Sequence, residues 1–334
     1  MCKGGEVYVV LLVLSSAVSR CLAGVDPAEQ QLLKAATNRV DIRSSAAKPF
    51  ELEAEFTAQF NTPKDGHLTW RWAARDLWRQ EITMGDYQQV MVRNGDTLYN
   101  SRNEPFTPLR IDELQKLLNV LPVDIDWQFK KIKHQTEGGI ETDCIEMSSQ
   151  PGPHARNAKR TLCISPATKE LMTDEEKDEE QHRRKEFADY EPFGDHSYPR
   201  QLKLLANGSV ALKVKISSLR EATFDQATFV PLPGAIARRQ CEHMTHPQAI
   251  KTPDPPYPRW ASRSMVGGTA TVAITVLADG SVDNVQIVQS AGPEMDQATQ
   301  DTVKTWKFKP AMCGNEPVVS DAWVEVTFHP PPHL

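Results

Sequence analysis

The chain has 334 residues, 40% of them hydrophobic and 25% charged, enough apolar material for a soluble protein of about two domains. A formal net charge of -6 and the lack of an arginine-rich face speak against nucleic acid as a partner. Enzymatic chemistry finds little support: there is no G-x-S-x-G, no H-E-x-x-H and no glycine-rich phosphate loop after a strand, and the nine histidines are scattered, mostly in loops beside Pro or Gly. The expectation is a binding protein without cofactor or metal, with an envelope enzyme built from distant residues as the contrary reading.

Residues 1–23 read as a secretory signal. Lys3 gives a basic start, residues 7–14 are apolar, and Cys21-Leu22-Ala23 supplies small residues where a signal peptidase reads. The apolar run is short of the roughly 20 residues a spanning helix needs. Left uncleaved, it would instead act as a membrane anchor. Cys21 also raises a lipoprotein anchor, but Arg20 sits where such a signal has a small residue.

Residues 24–233 form the first expected domain. After a short helix over 27–37, residues 50–60 alternate strictly: Phe50, Leu52, Ala54, Phe56, Ala58 and Phe60 share one face, with Glu51, Glu53 and Glu55 opposite. That pattern is an amphipathic antiparallel strand. Further strands are expected over 67–73, 77–83, 87–93 and 97–101, with a hairpin turn at Asn94-Gly95. A helix over 110–120 carries Leu114, Leu117 and Leu118 on its buried stripe. Strands follow over 126–132, 139–147, 159–164, 184–190, 200–205, 209–217 and 226–229. The run TDEEKDEEQHRRK at 173–185 reads as a solvated loop or hairpin tip.

The Phe50 strand, Asp76-Leu77-Trp78-Arg79-Gln80-Glu81-Ile82, Val92-Arg93-Asn94-Gly95-Asp96-Thr97-Leu98-Tyr99, and Asp189-Tyr190 followed by Tyr198-Pro199-Arg200 resemble periplasmic lipoprotein carriers of the LolA/LolB type. The resemblance covers about residues 50–231. It implies a curved antiparallel β half-barrel with an embedded helix, able to enclose a lipid or acyl ligand. The plain alternative is that these apolar faces simply make a core.

Four cysteines lie beyond the signal. Cys144 and Cys163 sit on flanking strands, so a cross-strand bond is the local choice, which leaves Cys241 and Cys313; free buried thiols are the alternative. The second pair would staple the expected linker, 234–253, to the last domain, 254–334. Cys241, His243 and His246 invite a zinc reading, but the disulfide competes for the Cys and no fourth ligand stands close.

The last stretch reads as strand, turn, strand, helix, strand. Asp279-Gly280 signals a two-residue hairpin, which sets Ala278 opposite Ser281, Ile274 opposite Val285 and Val272 opposite Ile287. Pro293 opens a helix with Glu294 in its first turn, and Met295, Ala298, Thr302, Val303 and Trp306 follow at helical spacing until Pro310 stops the run. In the final strand Val318, Ser320, Ala322, Val324, Val326 and Phe328 share one face, and Val319, Asp321, Trp323, Glu325 and Thr327 the other. Because the helix returns the chain, this strand runs with the second and pairs antiparallel with the first, as an edge strand.

Pro255-Pro256-Tyr257-Pro258 ahead of Ala261, Gly268, the run from Asp279-Gly280 to Val285, Ser290, and Trp306-Lys307-Phe308-Lys309-Pro310-Ala311 resemble the C-terminal domain of the TonB family of energy transducers. The resemblance implies a small β-β-α-β periplasmic domain, so the whole chain reads as α+β. It implies that the edge strand takes up a peptide of an outer-membrane TonB-dependent transporter, or another envelope protein, as an extra strand. Tyr257, Pro258, Gly280, Trp306 and Pro310 carry the family pattern. Asp254 departs from it, standing where the family often has an amide.

Overall fold

The computed structural model describes residues 27–44, 47–120, 127–149, 158–178, 181–241, 244–259 and 266–329. The expected signal at 1–23, His243 and Ala261 lie outside the described residues.

Helix α1 (Pro27–Val40) precedes β1 (Phe50–Ala58), β2 (Lys64–Ala74), β3 (Leu77–Met84), β4 (Tyr87–Asn94) and β5 (Thr97–Arg102). Helix α2 (Leu109–Leu118) leads to β6 (Trp127–Glu137), β7 (Ile140–Ser149), β8 (Lys159–Ile164), β9 (Leu171–Lys177), β10 (His182–Phe193), β11 (His196–Ala206) and β12 (Ser209–Glu221). Each run is an antiparallel meander, and β1 pairs with β12 to join them. With β13 (Ile236–Arg239) on β5, they make one open, curved 13-stranded sheet in the order β13-β5-β4-β3-β2-β1-β12-β11-β10-β9-β8-β7-β6.

Alternation decides which face of this sheet is buried. Phe50, Leu52, Ala54, Phe56 and Ala58 all point into one core. That core is completed by Leu33, Ala36 and Val40 of α1 and Ile111, Leu114, Leu117 and Leu118 of α2. Phe50 stacks on Trp72 at 5.4 Å and meets Trp70 edge-on at 5.5 Å. The buried Tyr198 hydroxyl donates to the Leu118 carbonyl at 2.7 Å, satisfying a last-turn acceptor of α2 that the helix itself leaves open. Phe56 lies directly across from Gly66; a Cβ there would sit 2.2 Å from its ring and 2.5 Å from the Thr83 carbonyl, so this crossing requires glycine.

Several features differ from the sequence-based expectation. The charged run is not simply solvated: β9 and β10 pair along it, and Asp174 is buried between Arg160 (2.9 and 3.0 Å) and Lys185 (2.9 Å). Burial alone raises the Asp174 carboxyl, but attraction to Lys185 and Arg160 outweighs it and holds the group below the usual range. Residues 226–229 form a short 3-10 helix rather than a strand, because Asp225 caps the Ala227 N–H at 3.0 Å. At the β4–β5 hairpin the two-residue loop is Gly95-Asp96, with Gly95 at φ 63°. Cys144 and Cys163 face each other across β7 and β8 and are bonded.

The rest of the chain adds β14 (Gln248–Lys251), β15 (Gly268–Val276), β16 (Val282–Gln289), α3 (Pro293–Val303), β17 (Lys307–Lys309), β18 (Ala311–Cys313), β19 (Glu316–Val318) and β20 (Ser320–Phe328). β15, β16 and β20 form a three-stranded sheet in the order β16-β15-β20, with α3 packed on one face. The expected linker is thus partly built into strands: β13 joins the large sheet on β5, and β14 pairs with β17 as a separate two-stranded sheet.

Candidate functional site

The β15–β16 hairpin begins differently from the two-residue turn that Asp279-Gly280 suggests. The Leu277 N–H donates to the Ser281 carbonyl, and the Gly280 N–H to the Leu277 carbonyl, both at 2.9 Å, which makes a three-residue loop. Gly280, at φ 78°, takes the left-handed position that such a loop needs. The strands therefore start one residue out of the expected register, with Val276 opposite Val282. An irregularity at Asn284, itself at φ 47°, takes up the difference. Val272 then stands opposite Ile287, as the apolar pattern requires. Val272, Ile274, Val276 and Val285 all enter the core under α3.

Gly280 has a second constraint. The Phe308 N–H donates to its carbonyl at 2.9 Å, and a Cβ on Gly280 would lie 1.9 Å from the Phe308 carbonyl oxygen. The Asp279-Gly280 turn and the Trp306–Pro310 run are therefore two halves of one contact, with Pro310 also beside Gly280. Two hydrogen bonds from Ser281 hold the exposed Asp279 carboxyl below its usual range. Ser290 accepts from the Gly292 N–H at 3.0 Å and donates to Asp296, which also accepts from Ala291 at 2.8 Å. These bonds tie down the turn that leads into α3, where Pro293 takes the first helical position.

The helix ends at Val303, earlier than the spacing through Trp306 suggests. Trp306 is buried beyond it, and its indole N–H donates to the Pro253 carbonyl at 3.1 Å. Tyr257 donates to the Val266 carbonyl at 2.6 Å and meets Phe328 edge-on at 5.8 Å. Pro258 follows it, half-buried. The proline-rich segment is thereby drawn alongside β20. Thr252, Asp254, Tyr257, Trp306 and Phe328 line a groove of about 390 Å³ there.

β20 is shorter than the expected strand. Val318 pairs with Ala311 in the β18–β19 hairpin, and Val319 joins the two elements, so the edge begins at Ser320. From Gly268↔Phe328 to Val276↔Ser320 its pairing with β15 is unbroken. Val326 and Phe328 are buried toward α3, with Ala322 and Val324 packed against the same cluster; Asp321, Glu325 and Thr327 are exposed on the other face, beside a half-buried Trp323. Among the described residues no strand pairs with the second side of β20.

Cys241 is bonded to Cys313, and Thr245 exchanges two 3.0 Å hydrogen bonds with Met312 beside that link. Arg238 contacts Asp321 at 3.4 Å, Arg239 pairs with Glu316, and Gln181 donates to the Glu325 carboxylate at 3.1 Å. The Cys241–Cys313 pairing is the one the cysteine count left over, whereas the sequence offered no signal for the polar contacts.

Residues 253–330 match the family model described as Gram-negative bacterial TonB protein C-terminal. The C-terminal region is TonB-like. A curated relative, the protein tonB2 of Pseudomonas aeruginosa, is 40% identical over 78 residues, which are 23% of this chain and 28% of that protein. The chain thus spans only about a quarter of the length of that relative. The solution structure of the Pseudomonas aeruginosa TonB CTD is 24% identical, with a TM-score of 0.24, over 28% of this chain and all of that one. A LolA superfamily protein from Nitrosomonas europaea is 9% identical, with a TM-score of 0.41, over 60% of this chain and 96% of that one.

Proposed function

We propose that the TonB-like region binds an extended segment of an envelope partner by adding it as a strand to β20. The observation behind this reading is a nine-residue edge strand, regular along its whole pairing with β15 and without a partner strand on its other side among the described residues. Strand addition gains main-chain hydrogen bonds that the edge otherwise gives to water. The first partner class to test is the outer-membrane TonB-dependent transporter, because residues 253–330 carry the TonB C-terminal pattern. The setting is the periplasm, with residues 1–23 as the export signal; among the described residues no helix is long and apolar enough to cross a membrane. The working division is 24–233, a connecting 234–253 and 254–334.

A lipid or lipoprotein carrier is the weaker reading. Side chains of α1 and α2 occupy the apolar face of the large sheet. A cavity of about 1050 Å³ lies instead against charged residues such as Glu55, Asp65, Lys203 and Lys213. Native mass spectrometry of the exported protein separates the two: a retained acyl ligand favours the carrier. Labelled peptides from the plug segments of TonB-dependent transporters test strand addition, and failure of all of them to bind the full chain would remove it.

A further inference from the structure

The C-terminal half of β20 has a hollow on each face. Toward α3 is the groove with Tyr257, Trp306 and Phe328. On the opposite face a cleft of about 680 Å³ separates the small sheet from the large-sheet region, with Trp323 and Thr271 on one wall and Lys116, Gln181 and His182 on the other. Alternation along β20 produces this arrangement, because Trp323 and Glu325 point away from Val324 and Val326.

The second wall is held close. Gln181 reaches the Glu325 carboxylate at 3.1 and 3.2 Å, and Arg238 reaches Asp321 at 3.4 Å. There is also little slack between the regions: β13 ends at Arg239 on the edge of the large sheet, and Cys241 is already bonded to Cys313.

We infer that the large-sheet region supplies a second wall to the strand-binding site, so that an added peptide is read on both faces. This deepens the strand-addition reading and rests on it. A strand paired to β20 lies about 4.8 Å beyond it and sends alternate side chains to opposite faces. One set enters the aromatic groove. The other set faces Lys116, Gln181 and His182, whose polar atoms already bond Asp112, Glu325 and Glu175 and would be shared with the peptide. The fitting partner is an extended peptide in which apolar side chains alternate with side chains that accept hydrogen bonds.

The test uses the full chain and fluorescent plug-segment peptides, read by anisotropy, with hydrogen exchange of the β20 amides in the same complexes. The double variant Lys116→Ala with Gln181→Ala removes two wall contacts from side chains outside both cores. It should weaken binding about tenfold while β20 still gains protection. Replacing the polar set of the peptide by alanine should weaken binding to the wild type and matter little to the double variant. Unchanged or tighter binding by the double variant, with β20 protected as in wild type, overturns the second wall alone. No binding by the wild type, or binding without protection of β20, overturns the strand-addition reading and the wall with it.

Discussion

The long edges of the two larger sheets are treated differently. The large sheet ends on β6 and β13. β6 is long but carries Lys130, Lys131 and Lys133, and its register breaks between Phe129 and Lys131. β13 has four residues and ends in Arg238 and Arg239. Lysines, irregular pairing and shortness are the means by which edges avoid joining other strands. β20 has none of them: Ser320–Phe328 contains no lysine, arginine or proline, and its register with β15 has no break. The small sheet's other edge, β16, breaks register with β15 twice, so among the long edges of the described residues β20 is the regular and unprotected one, which suits it to pairing.

The largest expected effect probes the linkage between the regions. Opening Cys241–Cys313, by replacing both with serine, releases a loop with a sequence separation of 72 and should cost about 4 kcal/mol in denaturant unfolding. Opening Cys144–Cys163, with a separation of 19, should cost about 3 kcal/mol. Equal losses, or a larger loss at the shorter loop, would break the comparison.

Val324 stands opposite Val272 at the middle of the β20 ladder. Val324→Pro removes a main-chain donor and should cost roughly 3 kcal/mol, with loss of peptide binding. Circular dichroism establishes whether the domain still folds, and a folded variant that binds normally would mean that the partner docks elsewhere.

Asp174 gives the large sheet a pH dependence. Its carboxyl is held low in the folded protein, so the stability it contributes is full above the ordinary carboxylate range and is lost as pH falls through the lowered value. Asp174→Asn should lower stability at neutral pH by about 3 kcal/mol and flatten the acid limb of the unfolding free energy. An acid limb identical to wild type would contradict this assignment.

What the sequence revealed follows from which forces are local. Strict alternation from Phe50 to Ala58 and from Ser320 to Phe328 is a local pattern, and both strands and their buried faces were legible from it; the edge position of β20 followed from the helix that returns the chain. β14 was not, because all four of its residues are exposed and no apolar period marks it. β17, β18 and β19 have three residues each, too few to show alternation. The hairpin loop differs by one residue from the two-residue turn because Gly280 also accepts from the Phe308 N–H and leaves room for the Phe308 carbonyl, a contact between distant parts of the chain. The wall formed by Lys116 and Gln181 belongs to the same class: only the packing of the two regions brings these residues near Trp323.

The smallest expected effect transfers the protection of β6 to β20. Thr327 is exposed, so Thr327→Lys should change stability by no more than about 0.5 kcal/mol. Peptide binding should nevertheless fall, since a lysine now guards the edge. Unaltered binding would show that edge chemistry does not govern the interaction.

Hydrogen exchange of the β20 amides in the free full-length protein, and again with a bound transporter plug peptide, tests the open edge most directly. The amides directed away from β15 should exchange readily alone and become protected in the complex. Protection already present in the free protein would mean that the chain completes its own edge, and would contradict strand addition at β20.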